Sequence, residues 1–197
     1  MRILVIGATG AIGSVAADTL ESRGHEVIRA SRSSEYSVDV MNADSVASLF
    51  ARLGEVEAVI VAFGSAAFKP LTELTRDDYT SAFESKVLGQ LEVVGQAFEH
   101  LSDGGSITLT TGVIARAPIA TGAAAGLVNG ALESFVLTAA AEAPRGIRIN
   151  AVSPDVLARS PHYHSAFPGH RPVTDEEVGT AFTLAVEGIV TGQIITV

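Results

Sequence analysis

The chain has 197 residues, of which 47% are hydrophobic and 18% are charged, and this size and balance predict a single globular domain over residues 1–197. Its net charge of −9 argues against a nucleic-acid partner, and the absence of cysteine excludes disulfides, thiolate catalysis and cysteine-ligated metals. No apolar run reaches the length of about 20 residues that spans a bilayer, and no signal peptide is evident, so we expect a cytoplasmic protein without a membrane partner.

Apolar runs of strand length alternate with longer segments of helical period along the chain. The predicted strands are, in order, residues 2–6, 25–30, 36–40, 57–62, 105–110, 146–152 and the terminal TGQIITV. The predicted helices cover residues 11–23, 43–52, 76–101 and 121–141, and a last helix runs from the capping box at 174–177 to near Gly188. This alternation predicts parallel strands joined by right-handed helical crossovers, hence a three-layer, doubly wound α/β fold of Rossmann type. One long irregular segment covers residues 154–173.

The sequence GATGAIG follows the first predicted strand and opens the first helix. Glycines in that position permit a tight turn and a close approach of the backbone to a diphosphate, whose charge the N-terminus of the helix then favours. The candidate dinucleotide contacts in this loop are Gly7, Thr9, Gly10, Ala11, Ile12 and Gly13. The absence of a following Gly-Lys-Ser/Thr argues against a P-loop, and the alternative is a tight turn without a ligand.

The end of the second strand indicates which nucleotide is bound. NAD sites carry an acidic residue there, which accepts hydrogen bonds from the ribose 2′-hydroxyl. Here the strand runs into ASRSS, and no acidic residue occurs before Glu35. Arg32 is able to bind a 2′-phosphate in a bidentate manner, and Ser31 and Ser33 are able to donate to it, so we predict NADP(H) in preference to NAD(H). The alternative is an exposed polar loop.

Together these residues resemble the short-chain dehydrogenase/reductase family over nearly the whole chain. GATGAIG resembles the family's glycine-rich motif, VDV the short strand beside the adenine, and VAFG the Asn-Asn-Ala-Gly motif. GIRINAVSPD resembles the motif that ends in Pro-Gly beside the nicotinamide, and TGQIITV resembles the last strand. The resemblance implies the strand order 3-2-1-4-5-6-7, with the cofactor across the carboxyl ends of the strands. It adds these candidate cofactor contacts: Asp39, Val40, Ala62, Phe63, Gly64 and Pro154.

The catalytic residues of the family are absent, and the chain is identified as a member of an atypical subgroup without the Ser-Tyr-Lys set. Aligning NGALESF with the family's Lys-Ala-Ala-x-Glu-x-Phe puts Ala125 in the place of the Tyr and Asn129 in that of the Lys. The place of the Ser falls on Gly112, and the place of the family's Asn falls on Lys86. Ala125 has no proton to give, whereas the amide of Asn129 is able to bond the nicotinamide ribose as the Lys would.

Lys86, Thr110 and Thr111 are the first candidates to replace the missing acid. Lys86 lies at the edge of the apolar stripe of its helix, where partial desolvation would lower its pKa. The alternative is a solvated or interface lysine. Thr110 and Thr111 are able to hydrogen-bond a carbonyl oxygen, although threonine after a strand is usually a local cap.

The segment 154–173 offers a second source of protons, because the resemblance implies that it covers the substrate. Its candidate donors are His162, Tyr163, His164 and His170. A His-x-His pair on a loop is usually solvated, and no third ligand is evident, so we predict no metal site.

Two classes of function remain. The first is an NADP(H)-dependent oxidoreductase that acts on a small molecule needing little acid catalysis, such as an enone or an imine. The second is an NADP(H)-binding sensor or partner subunit without turnover. In the family, the helices at 76–101 and 121–141 pair between subunits, so the resemblance implies a homodimer or a homotetramer. Small residues in GLVNGAL and TAAAEA would permit close helix approach there, but they would also suit packing on the sheet.

Overall fold

Seven parallel strands form one sheet in the structure, a computed structural model that describes residues 1–197. The strands are β1 (Arg2–Ile6), β2 (Glu26–Ser31), β3 (Tyr36–Ser37), β4 (Val56–Val61), β5 (Leu101–Thr110), β6 (Arg148–Ser153) and β7 (Ile194–Thr196). Their order across the sheet is β3-β2-β1-β4-β5-β6-β7. The predicted Rossmann-like fold and strand order are therefore confirmed. The order reverses between β1 and β4, which is where doubly wound sheets bind ligands.

Helices cover both faces of the sheet. They are α1 (Ala11–Ser22), α2 (Ala43–Leu53), α3 (Arg76–Ala82), α4 (Gly89–His100), α5 (Ala123–Glu142) and α6 (Asp175–Glu187). Short 3₁₀ helices occur at Leu71–Glu73, Val113–Ala115, Pro144–Gly146 and Pro161–Ala166. The predicted capping box is present at the start of α6, where the hydroxyl of Thr174 accepts from the N–H of Glu177.

The strands divide the core into two clusters because their side chains alternate between the two faces of the sheet. Ile3 and Val5 of β1 pack with α1 and α6, whereas Leu4 and Ile6 pack with α2, α4 and α5. All four side chains are fully buried, which explains why RILVI is a continuous apolar run.

Helix α5 is long and apolar enough, by length and composition alone, to cross a bilayer. Its Val128, Leu132 and Val136 are fully buried in the core on that face of the sheet. Burial against the sheet therefore accounts for the apolar residues on one face of this helix, whereas Leu127 and Leu137 are exposed.

The structure departs from the predicted elements in three places. The single helix predicted at 76–101 is α3 and α4 joined by a π-helical segment, Phe83–Leu88. The third strand, predicted at 36–40, is limited to two residues, and β5 begins at residue 101 instead of 105. The segment 154–173 is irregular, as predicted, but its base is fixed where Leu157 forms a bridge with Val173.

Candidate functional site

The loop after β1 brings backbone segments closer together than side chains would permit. Gly7 has a φ of +88°, and a Cβ on it would lie 2.4 Å from the carbonyl oxygen of Ala62. A Cβ on Gly13, in the first turn of α1, would lie 2.2 Å from the carbonyl oxygen of Gly7. Both distances are well inside van der Waals contact, so the loop requires glycine at both positions. The loop is a cradle of bare backbone between β1, β4 and α1.

The N-terminus of α1 opens at this cradle. Its N-cap, Gly10, offers no side chain to the first turn, and the first intrahelical bond runs from the N–H of Ser14 to the carbonyl of Gly10 at 2.9 Å. The N–H groups of the three intervening residues therefore have no partner inside the helix. Free N–H groups and the positive end of the helix dipole together favour an anion at this point.

A cleft of 320 Å³ lies beside the glycine loop, at the carboxyl ends of β1, β2 and β4. It is lined by Ile6, Gly7, Thr9, Gly10, Ser31, Arg32, Ser33, Val38, Val40, Ala62 and Phe63. All but Ile6 and Val38 are among the candidate cofactor contacts from the sequence. Ile6 and Val38 are apolar strand residues, and the sequence analysis did not name them as cofactor contacts. The cleft thus brings the glycine loop and the turn after β2 to one site.

The turn after β2 is held by its own serines. The N–H of Ser31 donates to Ser34 Oγ at 2.8 Å, and that hydroxyl donates to the carbonyl of Tyr36 at 3.0 Å. The N–H of Ser33 donates to Ser31 Oγ at 3.3 Å. Arg32 stands exposed on this turn, and its guanidinium makes no hydrogen bond or ion pair within the chain. An unpaired cation therefore stands at the edge of the cleft.

The remaining candidate cofactor residues lie outside this cleft. They are Ala11, Ile12 and Gly13 in the first turn of α1, and Asp39, Gly64, Asn129 and Pro154. Asp39 is exposed, and its carboxylate accepts from the N–H of Met41 at 3.1 Å, so it stabilises the turn before α2. Gly64 and Pro154 follow β4 and β6 at the carboxyl edge of the sheet, so this part of the set continues along the edge beyond the cleft.

Asn129 and Gly112 form a close pair near the end of β5. Asn129 Nδ2 lies 3.4 Å from the carbonyl oxygen of Gly112, and a Cβ on Gly112 would lie 3.1 Å from the same nitrogen. Asn129 Oδ1 is buried and has no hydrogen-bond partner. A buried acceptor without a donor is costly, and a ligand hydroxyl would satisfy it. Ala125, one turn earlier on α5, is also buried.

Thr111 belongs to a buried ionic network that the sequence did not reveal. Its hydroxyl donates to Glu133 Oε1 at 3.0 Å, and the hydroxyl of Ser153 donates to the same oxygen at 3.3 Å. Arg116 forms a salt bridge with Glu133 and donates to Ser153 Oγ at 2.8 Å. The hydroxyl proton of Thr111 is therefore used in the hydrogen bond to Glu133 and is not available to a substrate. An acidic residue on the apolar stripe of α5 was the one signal for this network.

Thr110 faces away from α5. Successive side chains of a strand point to opposite faces, and Leu109 packs in the core on the α5 side. The hydroxyl of Thr110 is buried without a partner on the other face. Its carbonyl accepts from Gln90 Nε2 at 3.1 Å, and the same nitrogen donates to the carbonyl of Phe63 at 2.9 Å. Gln90, which the sequence analysis missed, is fully buried and ties the ends of β4 and β5 to α4.

Lys86 lies in the π-helical segment, against the loop that follows β4. A Cβ on Gly64, whose φ is +124°, would lie 2.7 Å from Lys86 Cγ. The side chain is half-buried, and no acceptor within the chain bonds its ammonium. Burial without a counter-ion lowers the pKa of Lys86 to about 8. This amine is able to hold or release a proton close to neutral pH, and π-helical turns frequently occur at functional sites.

A family model described as enoyl-(acyl carrier protein) reductase matches residues 6–197, which is almost the whole chain. The chain belongs to the short-chain dehydrogenase/reductase family. It is therefore a member of a family of oxidoreductases, and the family resemblance predicted from the sequence is confirmed at that level.

Three known proteins are similar to this short-chain dehydrogenase/reductase. The crystal structure of the protein lin1944 from Listeria innocua has 44% sequence identity and a TM-score of 0.96, with 100% of this chain and 99% of that chain covered. A small-chain dehydrogenase in complex with NADPH has 27% identity and a TM-score of 0.88, with 100% and 96% covered. A probable tetrahydroxynaphthalene reductase from Zymoseptoria tritici is 29% identical over 171 residues, or 82% of this chain. The present chain spans 61% of the length of that reductase.

In this short-chain dehydrogenase/reductase, the histidines of the segment 154–173 are bound into the segment itself. His164 Nε2 lies 3.0 Å from the carbonyl oxygen of Leu157, and His170 Nδ1 lies 2.8 Å from Asp155 Oδ2. The rings of His162 and Tyr163 stack with centroids 4.2 Å apart, and Tyr163 is exposed. The structure contains no group of three or more His, Asp or Glu side chains that could hold a metal ion.

Proposed function

We propose that this chain is an NADP(H)-dependent oxidoreductase with a non-standard proton donor. The observation that carries the proposal is the cleft in which the glycine loop meets the unpaired guanidinium of Arg32. The NADPH complex of the neighbour at 27% identity supports a nicotinamide dinucleotide in this fold. When bound, the reduced nicotinamide supplies a hydride, and the chain supplies the binding, orientation and proton transfer described next.

The residues of the cleft, together with Gly13 and Asn129 outside it, fit the parts of an NADP(H) molecule. The bare backbone between Gly7 and Gly13 and the free N–H groups of α1 suit the diphosphate. Arg32, with Ser31 and Ser33 beside it, suits the 2′-phosphate. The unpartnered Oδ1 of Asn129 is an acceptor for a ribose hydroxyl. The N–H groups in the first turn of α1, the guanidinium of Arg32 and Asn129 Oδ1 have no hydrogen-bond partner within the chain, which supports a ligand at this edge of the sheet.

Lys86 is the proposed acid or electrostatic clamp. Ala125 and Asn129 hold no transferable proton, and the hydroxyl of Thr111 donates to Glu133. Lys86 alone combines partial burial, a free ammonium and a pKa of about 8. A single ammonium is less effective as an acid than the family's Tyr and Lys pair, so we propose that the protein acts on activated substrates such as enones or imines. The description of the matching family model, an enoyl reductase, and the name of the naphthalene reductase relative support this substrate class.

The cofactor part of the proposal is tested by titrating NADPH and NADH into the protein and its variants. Arg32→Ala is expected to weaken NADPH binding about tenfold or more and to leave NADH binding unchanged, because only NADPH carries the 2′-phosphate. Arg76→Ala is the matched control, since Arg76 is also exposed and unpaired but does not line the cleft. Tighter binding of NADH than of NADPH by the unaltered protein would contradict the cofactor preference.

The catalytic part is tested by following NADPH oxidation with a panel of enones, imines and simple ketones. Activity is expected with the activated substrates, and Lys86→Met is expected to lower kcat by about 10²-fold or more, as loss of a general acid does. Unchanged kcat in that variant would remove Lys86 from the mechanism. Nucleotide binding without any turnover would favour the second candidate, a sensor or partner subunit. The hydroxyl of Thr111 supports this candidate, because it donates to Glu133 and has no proton free for a substrate.

We also propose that the protein forms a homodimer or homotetramer through the outer faces of α4 and α5. Leu127 and Leu137 are large exposed side chains on α5, and Leu88 is exposed where the π-helical segment meets α4. Gly95 and Gly130 have no neighbour within 4 Å of a Cβ position and would permit close helix approach. Size-exclusion chromatography with light scattering is expected to give a multiple of 20.3 kDa, and a species of 20.3 kDa alone would contradict the proposal.

A further inference from the structure

The side chain of Lys86 begins with a closely packed stem. Its Cβ and Cγ lie 2.8 Å and 2.7 Å from the place that a Cβ on Gly64 would occupy, so the stem lies directly on the backbone of that glycine. Gly64 follows Phe63, which lines the cleft beside the glycine loop. The hydroxyl of Ser85 donates to the carbonyl of Ser65 at 3.0 Å and fixes the π-helical segment to the same loop. The stem of Lys86 is therefore held next to the cleft.

The amine at the end of this stem has no partner and is open to solvent. No hydrogen bond or ion pair within the chain involves Lys86 Nζ, and the atom is not fully enclosed. Glu84, the nearest acidic residue along the chain, lines a groove with Leu88 and Glu92 that Lys86 does not line. Burial without a counter-ion lowers the pKa of Lys86 to about 8, so about a tenth of the amine is neutral at pH 7. A neutral amine that solvent reaches is a nucleophile.

Apart from Lys86, this region offers no donor that could protonate a carbonyl oxygen. Ala125 has no proton to give, and the hydroxyl of Thr111 donates to Glu133. An amine that condenses with an aldehyde forms an iminium ion and releases water. That cation accepts a hydride without an acid, because its nitrogen already carries the positive charge. A covalent amine would therefore remove the need for the missing acid.

We propose that Lys86 forms an iminium ion with an α,β-unsaturated aldehyde, which is then the substrate class of the proposed oxidoreductase. The neutral amine adds to the aldehyde carbon, and the resulting carbinolamine takes up a proton and loses water. This step needs no nucleotide. The reduction that follows rests on the proposed function: a hydride from the reduced nicotinamide dinucleotide adds to the β-carbon and leaves an enamine on Lys86. Protonation of the α-carbon and hydrolysis by one water then release the saturated aldehyde and the free amine.

Conjugation in the substrate decides whether the amine is regenerated. Addition of a hydride to the iminium carbon itself would leave a secondary amine on Lys86, which water does not cleave. Addition to the β-carbon of an unsaturated iminium ion returns the lysine. An α,β-unsaturated aldehyde therefore permits turnover, whereas a saturated aldehyde serves to trap the same amine.

The bond to the amine is tested without a nucleotide. The unaltered protein is incubated at pH 7 with hydrocinnamaldehyde, a saturated aldehyde, and with sodium cyanoborohydride, which reduces imines to stable secondary amines. Peptide mass mapping then locates the label. The chain has one other lysine, Lys69, whose exposed ammonium pairs with Asp78 at 2.7 Å. Label is expected to form on Lys86 about tenfold faster or more than on Lys69, and equal rates at the two lysines would overturn the inference.

Turnover separates a covalent amine from an acid or an electrostatic clamp. Lys86→Arg keeps a cation but forms no iminium ion, so NADPH oxidation with cinnamaldehyde is expected to fall to the level of Lys86→Met. Lys69→Arg is the matched control and is expected to keep full activity. Activity of Lys86→Arg close to that of the unaltered protein would overturn the covalent step. Label on Lys86 without any NADPH oxidation by the unaltered protein would support the bond to the aldehyde and overturn the proposed oxidoreductase function instead.

Discussion

Lys86 gives a stability prediction whose size follows from its burial. In the unfolded chain a lysine has its ordinary pKa of 10.5, whereas in the fold the pKa of Lys86 is about 8. Each pKa unit corresponds to about 1.4 kcal/mol, so folding with this amine charged is less favourable by about 3 kcal/mol than folding with it neutral. Lys86→Met removes the buried charge and keeps a similar apolar stem. The variant is therefore expected to gain up to about 3 kcal/mol in the free energy of unfolding at pH 7.

The pH dependence separates this electrostatic effect from packing. Below pH 8 the amine of Lys86 is protonated in both the folded and the unfolded wild type, so the full destabilisation by the buried charge is present. Between pH 8 and 10.5 the unfolded chain keeps the proton and the folded chain loses it, so wild-type stability rises with pH. Urea unfolding followed by circular dichroism is expected to show the gap between Lys86→Met and wild type narrowing by about 2 kcal/mol from pH 7 to about pH 9.5.

The chain provides a matched control for this measurement. Lys69 is the only other lysine, and its exposed ammonium pairs with Asp78 at 2.7 Å. The gap between Lys69→Met and wild type is expected to stay constant over the same pH range. A constant gap for Lys86→Met as well would refute the reasoning, because it would mean that Lys86 carries no desolvated charge.

Three further predictions concern the loop, a buried amide and an ion pair. Gly13→Ala is expected to lower the thermal unfolding temperature and abolish dinucleotide binding, because its Cβ would lie 2.2 Å from a carbonyl oxygen; an unchanged unfolding temperature would contradict this close approach. Gln90→Leu removes the amide that donates to the buried carbonyl of Thr110 and to the half-buried carbonyl of Phe63, and it is expected to lower the free energy of unfolding by about 1–3 kcal/mol; an unchanged value would argue against those bonds. The guanidinium of Arg23 lowers the pKa of Glu187 to about 2, so that carboxylate stabilises the fold above about pH 4.5 and loses this effect as the pH falls towards 2. Glu187→Gln is expected to be less stable than wild type at pH 7 and equal to it near pH 2 in acid titrations, and a gap independent of pH would contradict the pairing.

The fold was predictable because its signals are local and repeated. Strands buried on both faces give continuous β-branched runs, and helices between them give a period of 3.6, so RILVI and the segments that follow indicate a parallel sheet. The π-helical segment Phe83–Leu88 was not predictable, since FESKVL has the composition of an ordinary helix. The length of β3 was also overestimated, because a short edge strand depends on how far its single neighbour pairs with it.

In the candidate site too, the parts that depend on a short stretch of sequence were predictable, and the parts that depend on distant residues were not. The glycine loop and the turn after β2 are short stretches whose backbone requirements appear directly in GATGAIG and ASRSS. The bonds of the network around Glu133 join residues 17 to 37 positions apart, and they pair groups from α5, β6 and the connection between β5 and α5. No spacing rule connects such residues before the fold is known. A polar residue on a buried helical stripe, as Gln90 and Glu133 both are, is the signal that sequence analysis is able to offer.

The sequence alignment proposed above puts Gly112, Ala125 and Asn129 in the places of the family's catalytic residues, and packing couples these positions to one another. A Cβ at position 112 would lie 3.1 Å from the amide nitrogen of Asn129, so a serine there depends on which side chain stands at 129. Ala125 is buried one turn earlier on the same face of α5. Restoring one family residue would therefore disturb the packing of its neighbour without completing a proton path. The π-helical segment that carries Lys86 packs against α5. Under the proposed function, the amine whose buried charge destabilises the fold also takes part in the reaction, so Lys86→Met is expected to gain stability and to lose activity together.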